Sequence, residues 1–196
     1  MRRREVLLIL GSGLVLTACN TPVSLPVYPD ITFQHKSPLR LDVSRIEVIE
    51  SAATGTVEPP QRDIRASLPI SPLAAMSNWA SDRLVAAGGP GVARVSIIEN
   101  KFVETPLDLT KGVQGIFTTD QSERYEGLMT VKIEILGDPL RSGFVQARAA
   151  AKRTVPENYT LNQREQTLYD MVASMTRALD ERLEQEMRAN LSVFLV

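Results

Sequence analysis

The 196-residue chain contains one cysteine, one histidine and one tryptophan, and aromatic residues make up only 5% of it. A single cysteine, Cys19, excludes an intrachain disulfide framework and the multi-thiolate metal sites. A single histidine, His35, has no second imidazole or thiol to share a metal with, so no metal or cofactor site is expected and His35 reads as a solvated residue. No serine stands in a Gly-x-Ser-x-Gly elbow, and no nucleophile is placed with a histidine partner. The carboxylate pairs Asp180-Glu181 and Glu184-Glu186 read as the solvated side of a helix, because general acid–base work needs carboxylates in differently perturbed, enclosed settings. The sequence therefore reads as non-enzymatic, with no catalytic residue assigned.

Charge of one sign is lacking too, since 22 Lys and Arg face 23 Asp and Glu for a net charge of −1. Binding a nucleic-acid backbone requires a concentrated basic surface, and here the basic residues are scattered among acids, so a nucleic-acid partner is excluded. No apolar run is long enough to cross a bilayer, which takes roughly 20 residues. The longest, Val6 to Leu16, is interrupted by Gly11, Ser12 and Gly13.

That run belongs to a different pattern. Arg2, Arg3 and Arg4 precede it, small residues follow it, and it ends Leu16-Thr17-Ala18-Cys19. This order of charge, short apolar stretch and small residues before a cleavage point is that of an export signal. The closing four residues resemble the lipobox of bacterial lipoproteins. The resemblance implies cleavage between Ala18 and Cys19 and acylation of Cys19, which also removes an awkward lone thiol from an oxidising compartment. Asn20 in the next position implies, within that class, sorting to the outer membrane, with the protein on its periplasmic side. Several acyl chains, each contributing about 0.8 kcal/mol per buried methylene, make such an anchor effectively permanent.

Three segments are then expected: residues 1–18 as the signal, 19–38 as the lipidated cysteine and a tether carrying Pro22, Pro26, Pro29 and Pro38, and 39–196 as one domain. An extended proline-containing tether covers about 3 Å per residue and would let the domain stand some tens of ångströms off the bilayer. A composition of 43% hydrophobic and 23% charged residues is that of a folding domain.

Within 39–196 the fold class is α+β, with an antiparallel sheet of about four strands and two helices on one face in the order β-α-β-β-β-α. Leu39, Leu41 and Val43 alternate with polar residues, and Ile46 and Val48 continue on the opposite parity, which predicts a β-bulge near Ser44-Arg45. Residues 51–69 read as a long loop. Ser71-Pro72 starts a helix and Gly88-Gly89 ends it, with Leu73, Met76, Ala80, Leu84 and Ala87 on one face and Trp79 placed to stack with Arg83. The Gly88-Gly89-Pro90-Gly91 run follows a helix and precedes a strand, so it reads as a turn rather than a phosphate cradle.

Val92 to Val103 is a β-branched strand, and Thr105 to Ser122 a polar connection holding the apolar pair Ile116-Phe117. Met129, Val131, Ile133 and Ile135 alternate as the clearest strand. Val145, Ala147, Ala149 and Ala151 give a fourth strand with a small-residue face, against which a long helix is expected to pack. That helix is predicted from a capping box at Asn162 and Glu165 to about Asn190, with Leu168, Val172, Met175, Leu179, Leu183 and Met187 as its core stripe. The apolar tail from Leu191 to Val196 reads as a short strand or a contact site.

The element order behind a lipidated cysteine and a proline tether, with the Leu-x-Leu-x-Val strand at Leu39 to Val43 and Trp79 in the first helix, resembles the ABC-transport auxiliary lipoproteins, and more loosely the lipopolysaccharide-assembly lipoprotein of the outer membrane. The resemblance spans about Leu39 to Leu191; the long loop after Glu50 departs from it. It implies an accessory role in moving lipid or building the outer envelope, acting by binding. The competing expectation is a structural lipoprotein that binds another envelope protein or peptidoglycan. The partners expected are thus the membrane, through the N-terminal lipid, and an envelope protein or a lipid. Ile116, Phe117, Phe194 and Leu195 are the candidate contact residues, as apolar side chains with no evident core role.

Overall fold

The computed structural model describes residues 26–49, 56–107 and 121–196. Its main sheet has five strands: β2 (Arg45–Ile49), β5 (Val92–Pro106), β6 (Gln121–Leu136) and β7 (Gly143–Pro156) lie side by side in that order, and β3 (Arg62–Asp63) also pairs with β5. A second, two-stranded sheet joins β1 (Leu39–Leu41) to β4 (Leu84–Ala86). Helix α1 (Pro72–Arg83) packs on β5, helix α2 (Leu161–Asn190) on β7 and β6, and the helices touch each other, so both cover one face of the main sheet.

The expected all-antiparallel sheet is corrected to a mixed one. β2 pairs with β5 in parallel, whereas β5–β6 and β6–β7 are antiparallel. The reason is connectivity: the chain between β2 and β5 crosses over through α1, and a crossover returns the chain in the same direction. β1 and β4 are also parallel, with Leu39 opposite Leu84.

The parity slip between Val43 and Ile46 has a different cause from the bulge expected there. The chain leaves one sheet at Leu41 and enters the other at Arg45, so the two parities belong to two different sheets. Leu39, Leu41 and Val43 are buried, Ile46 is half-buried, and Val48 lies exposed. The bulge is in β5, between Ile97 and Glu99. It turns Asn100 and Phe102 onto the helix-covered face already occupied by Ala93, Val95 and Ile97, all of which are buried.

α1 begins as expected, with Ser71 Oγ accepting from the Ala74 N–H at 3.3 Å and Pro72 at the first helical position. It stops at Arg83, four residues short of expectation, because Leu84 turns extended to pair with β1. The buried stripe is Pro72, Ala75, Met76, Trp79, Ala80 and Arg83, displaced toward Trp79 from the one expected. The glycine run after β4 is a turn: Gly91 has φ +86°, and a Cβ there would lie 2.7 Å from the Leu136 carbonyl oxygen. At Gly89 a Cβ would fall on the Asp42 carboxylate, so the turn closes only on glycine.

β6 buries Tyr125, Met129, Val131, Ile133 and Ile135 at alternate positions, and β7 turns Val145, Ala147 and Ala149 to the same side. α2 lies on this small-residue face, as its alanines predict. Its 30 residues give about 45 Å of helix at 1.5 Å per residue. The capping box is two residues upstream of the expected pair: Gln163 N–H donates to Thr160 Oγ1 at 3.3 Å, and Thr160 N–H donates to Gln163 Oε1 at 2.8 Å. No helix among the described residues is long and apolar enough to cross a membrane.

Candidate functional site

Thirteen residues of the expected tether, 26–38, are described, and they form a strap bound to the helices rather than a free linker. Ile31 and Phe33 are buried in the core. The strap's backbone is held by side chains of α1: Asp82 Oδ2 accepts from the Phe33 N–H at 2.7 Å, Asn78 Nδ2 donates to the Ile31 carbonyl at 3.3 Å, and Arg83 donates to the Ser37 carbonyl. From α2, Tyr169 donates its hydroxyl to the Pro29 carbonyl at 3.1 Å and stacks on Tyr28, with ring centroids 5.2 Å apart.

The centre of this arrangement is Asp180 of α2, expected on a solvated face and found 0% exposed. Its Oδ1 accepts from Trp79 Nε1 and from Arg83 Nε, each at 2.8 Å, and its Oδ2 accepts from Lys36 Nζ at 2.5 Å. Trp79 and Arg83 thus meet through this carboxylate, in place of the stacking predicted for them. Arg83 also pairs with Glu184, which in turn accepts from Arg188. Burial pushes the Asp180 carboxyl up, but the hydrogen bonds from Lys36, Trp79 and Arg83 outweigh it and hold it below the usual carboxylate range. One buried acid therefore ties together α1, α2 and the strap.

Between the strap and α2 lies a cleft of about 410 Å³, lined by Asp30, Lys36, Asp170, Arg177 and Glu181 with Tyr169 and His35 among its other walls. His35 is exposed, with its ring centroid 6.3 Å from that of Phe33. Five charged side chains of both signs stand beside the apolar Ile31, Phe33 and Ala173, a mixed lining that suits a polar or peptide ligand better than a bare acyl chain.

Of the residues singled out as contacts in the sequence, Phe194 is corrected: it is 0% exposed, under the Arg141 guanidinium. Leu195 packs against the core and bridges to Leu41. The tail is neither the short strand nor the contact site expected: Ser192–Phe194 form a 3-10 turn, which closes over β1 through the Asp42 N–H donating to the Phe194 carbonyl at 2.8 Å and a single bridge at Leu195. Cys19, Ile116 and Phe117 lie outside the described residues. The residues that sequence reasoning missed are Asp180, Lys36 and Arg83. One signal was present: Asp180 precedes Leu183 by three and Met187 by seven, which puts an acid on the helix's apolar face.

No protein-family model matches the chain, and no curated protein is similar to it in sequence. Among solved structures, one similar in outline is a rare lipoprotein B from Shewanella oneidensis, at 11% identity and a TM-score of 0.38, covering 74% of this chain and 94% of that one. Another is a protein of family DUF330 from Xanthomonas campestris, at 9% identity and a TM-score of 0.26, covering 76% and 99%.

Proposed function

We propose that the chain is a lipid-anchored, non-catalytic binding accessory of the bacterial envelope, held to the outer membrane through Cys19 and serving envelope transport or outer-membrane lipid assembly. The observation that carries this reading is the strap. A domain on a long loose tether samples many heights, whereas one clamped by part of its own anchor segment is confined to a shorter range of them. From Cys19 to Pro26 the chain reaches at most about 25 Å when fully extended, far less than the whole of 19–38 would allow. A reach held short in this way serves docking to a neighbour in the same membrane.

The charged lining of the cleft between the strap and α2 favours a protein partner over a lipid cargo. It also keeps open the reading of a structural lipoprotein that binds an envelope protein or peptidoglycan. The test has two parts. Intact-mass measurement of membrane-extracted protein is expected to show a lipid increment on a chain beginning at Cys19. Photo-crosslinking in cells from position 177, in the cleft, is expected to capture subunits of a transport or assembly complex. A Cys19→Ser protein processed and membrane-bound as before would overturn the anchor, and peptidoglycan adducts from position 177 would replace the accessory role with the structural one.

A further inference from the structure

β7 is an edge strand. Its inner side pairs with β6 along its length, and among the described residues no strand pairs with its outer side. The outer side nevertheless has two of its carbonyls occupied. Arg182, on α2, donates to the Arg148 carbonyl, and Arg153 Nη1 donates to the Lys152 carbonyl at 2.9 Å. Backbone groups alternate in direction along an antiparallel strand, so Arg148, Ala150 and Lys152 present both N–H and C=O outward. Two guanidinium groups thus stand where the N–H donors of a further strand would stand.

Beside this edge runs a groove of about 250 Å³, walled by Ala149 to Arg153 on one side and by Ser174, Met175, Ala178 and Arg182 on the other. Its walls are mostly small, which admits the close approach of a backbone. Its charge is of one sign. β7 contains Arg148, Lys152 and Arg153 and no acid between Gly143 and Pro156, and α2 adds Arg182. Among the described residues the acid that reaches this set is Glu126, 3.6 Å from Lys152.

A second copy of the chain is a poor occupant. Pairing two β7 edges antiparallel about Ala150 sets Arg148 of one copy opposite Lys152 of the other, and like charges directly opposite destabilise a strand pair. Basic residues on an edge block self-association in this way while leaving it open to a strand of opposite charge.

We propose that the outer edge of β7 accepts an extended acidic segment of a partner envelope protein as an added strand, its carboxylates meeting Arg148, Lys152, Arg153 and Arg182. This gives the accessory role its partner chemistry, and it rests on that reading for the existence of a protein partner. The incoming N–H groups take the carbonyls of Arg148 and Lys152, and the displaced guanidinium groups pair with the incoming carboxylates. Main-chain bonds supply affinity and charge supplies selection, as in other strand-addition interfaces.

The test uses the full chain, acylated and held in detergent micelles, with fluorescent peptides read by anisotropy. A short peptide of Val and Glu with acids on both faces of the strand is expected to bind saturably, and its counterpart with Lys in place of Glu is not. Arg148→Glu with Lys152→Glu is expected to weaken the acidic peptide by about tenfold or more and to favour the basic one. Ala150→Pro removes an outward N–H and no bond to β6, so it is expected to abolish binding while the melting transition stays near that of the parent. A peptide with ester links in place of alternate amides is expected to lose binding to the unaltered protein, which keeps the strand geometry testable if Ala150→Pro fails to fold. Equal binding of acidic and basic peptides, no binding of either, or full binding of the ester peptide overturns the proposal. Because lipid attachment is read separately by intact mass, such a failure on an acylated chain leaves the anchored-accessory reading standing.

Discussion

Arg83 Nε donates to Asp180 Oδ1 at 2.8 Å, with the arginine side chain 2% and the aspartate 0% exposed. Removing one partner of a buried pair leaves the other as an uncompensated charge, which costs about 3–5 kcal/mol. Asp180→Ala strands Arg83 and also leaves the Trp79 indole N–H without its acceptor. The variant is expected to lose stability in that range in urea unfolding. A loss below about 1 kcal/mol would mean that Glu184, already paired with Arg83, takes over the charge.

The same carboxylate sets an acid limit. Its folded pKa lies below the ordinary value: burial opposes this, and Lys36, Trp79 and Arg83 more than compensate. A depressed folded pKa contributes stability that is fully present above the unfolded value of about 4 and is lost as pH falls through the folded one. Unfolding free energy is therefore expected to be flat with respect to this group near neutrality and to fall below about pH 4. Asp63 and Glu47 have lowered values through Arg65 and Arg45, so part of the acid fall is expected to remain in Asp180→Asn. An identical acid limb in that variant would remove Asp180 from the account.

The elements legible in the sequence were those with a clean period or a chemical boundary. Alternation fixed the faces of β6 and β7, Ser71-Pro72 fixed the start of α1, and the leucine and methionine stripe fixed α2. Partner choice was not legible. Leu84 to Ala86 continue a helical stripe, and β1 alone, 45 positions earlier at Leu39, makes them a strand. The helix-capping signal at Asn162 lost to Thr160 because both have an acceptor side chain three residues before a Glu or Gln. The local charge density around Asp180 suggests an exposed face, while its buried partners come from the strap and α1 and leave no mark near it in the sequence. Phe194 looks like a contact residue in the sequence because nothing near it there shows that the β1 segment and Arg141 enclose it.

Gly127 faces Phe102 across the β5–β6 pair, and a Cβ there would lie 2.8 Å from both Phe102 Cε1 and Met175 Sδ. The Phe102 ring is wholly buried, so it yields less easily than the two methionines nearby. Gly127→Ala is expected to cost about 1–3 kcal/mol, the range for overpacking a filled core, and Gly127→Val more. Thermal unfolding checks it. An unchanged melting temperature would show that Met171 and Met175 move aside and carry the ring with them.

The strap's clamp is testable apart from the fold. Lys36 is about one-third exposed, so its pair with Asp180 is partly screened and contributes at most about 1 kcal/mol. Lys36→Glu does more than remove it, because the new carboxylate faces that of Asp180. The expected outcome is a strap that opens while the sheet stays closed. Amide exchange should quicken at Phe33, whose N–H is held by Asp82, and stay slow at Val131 and Ile133 in the core of β6. Releasing the strap lengthens the chain between Cys19 and Leu39 to a maximum of about 70 Å, so a partner engaged close to the membrane should be captured less efficiently in cells. Unchanged exchange at Phe33 would show that Ile31, Phe33 and the α1 side chains hold the strap without the lysine. Quickened exchange with undiminished capture would separate the strap from the accessory role.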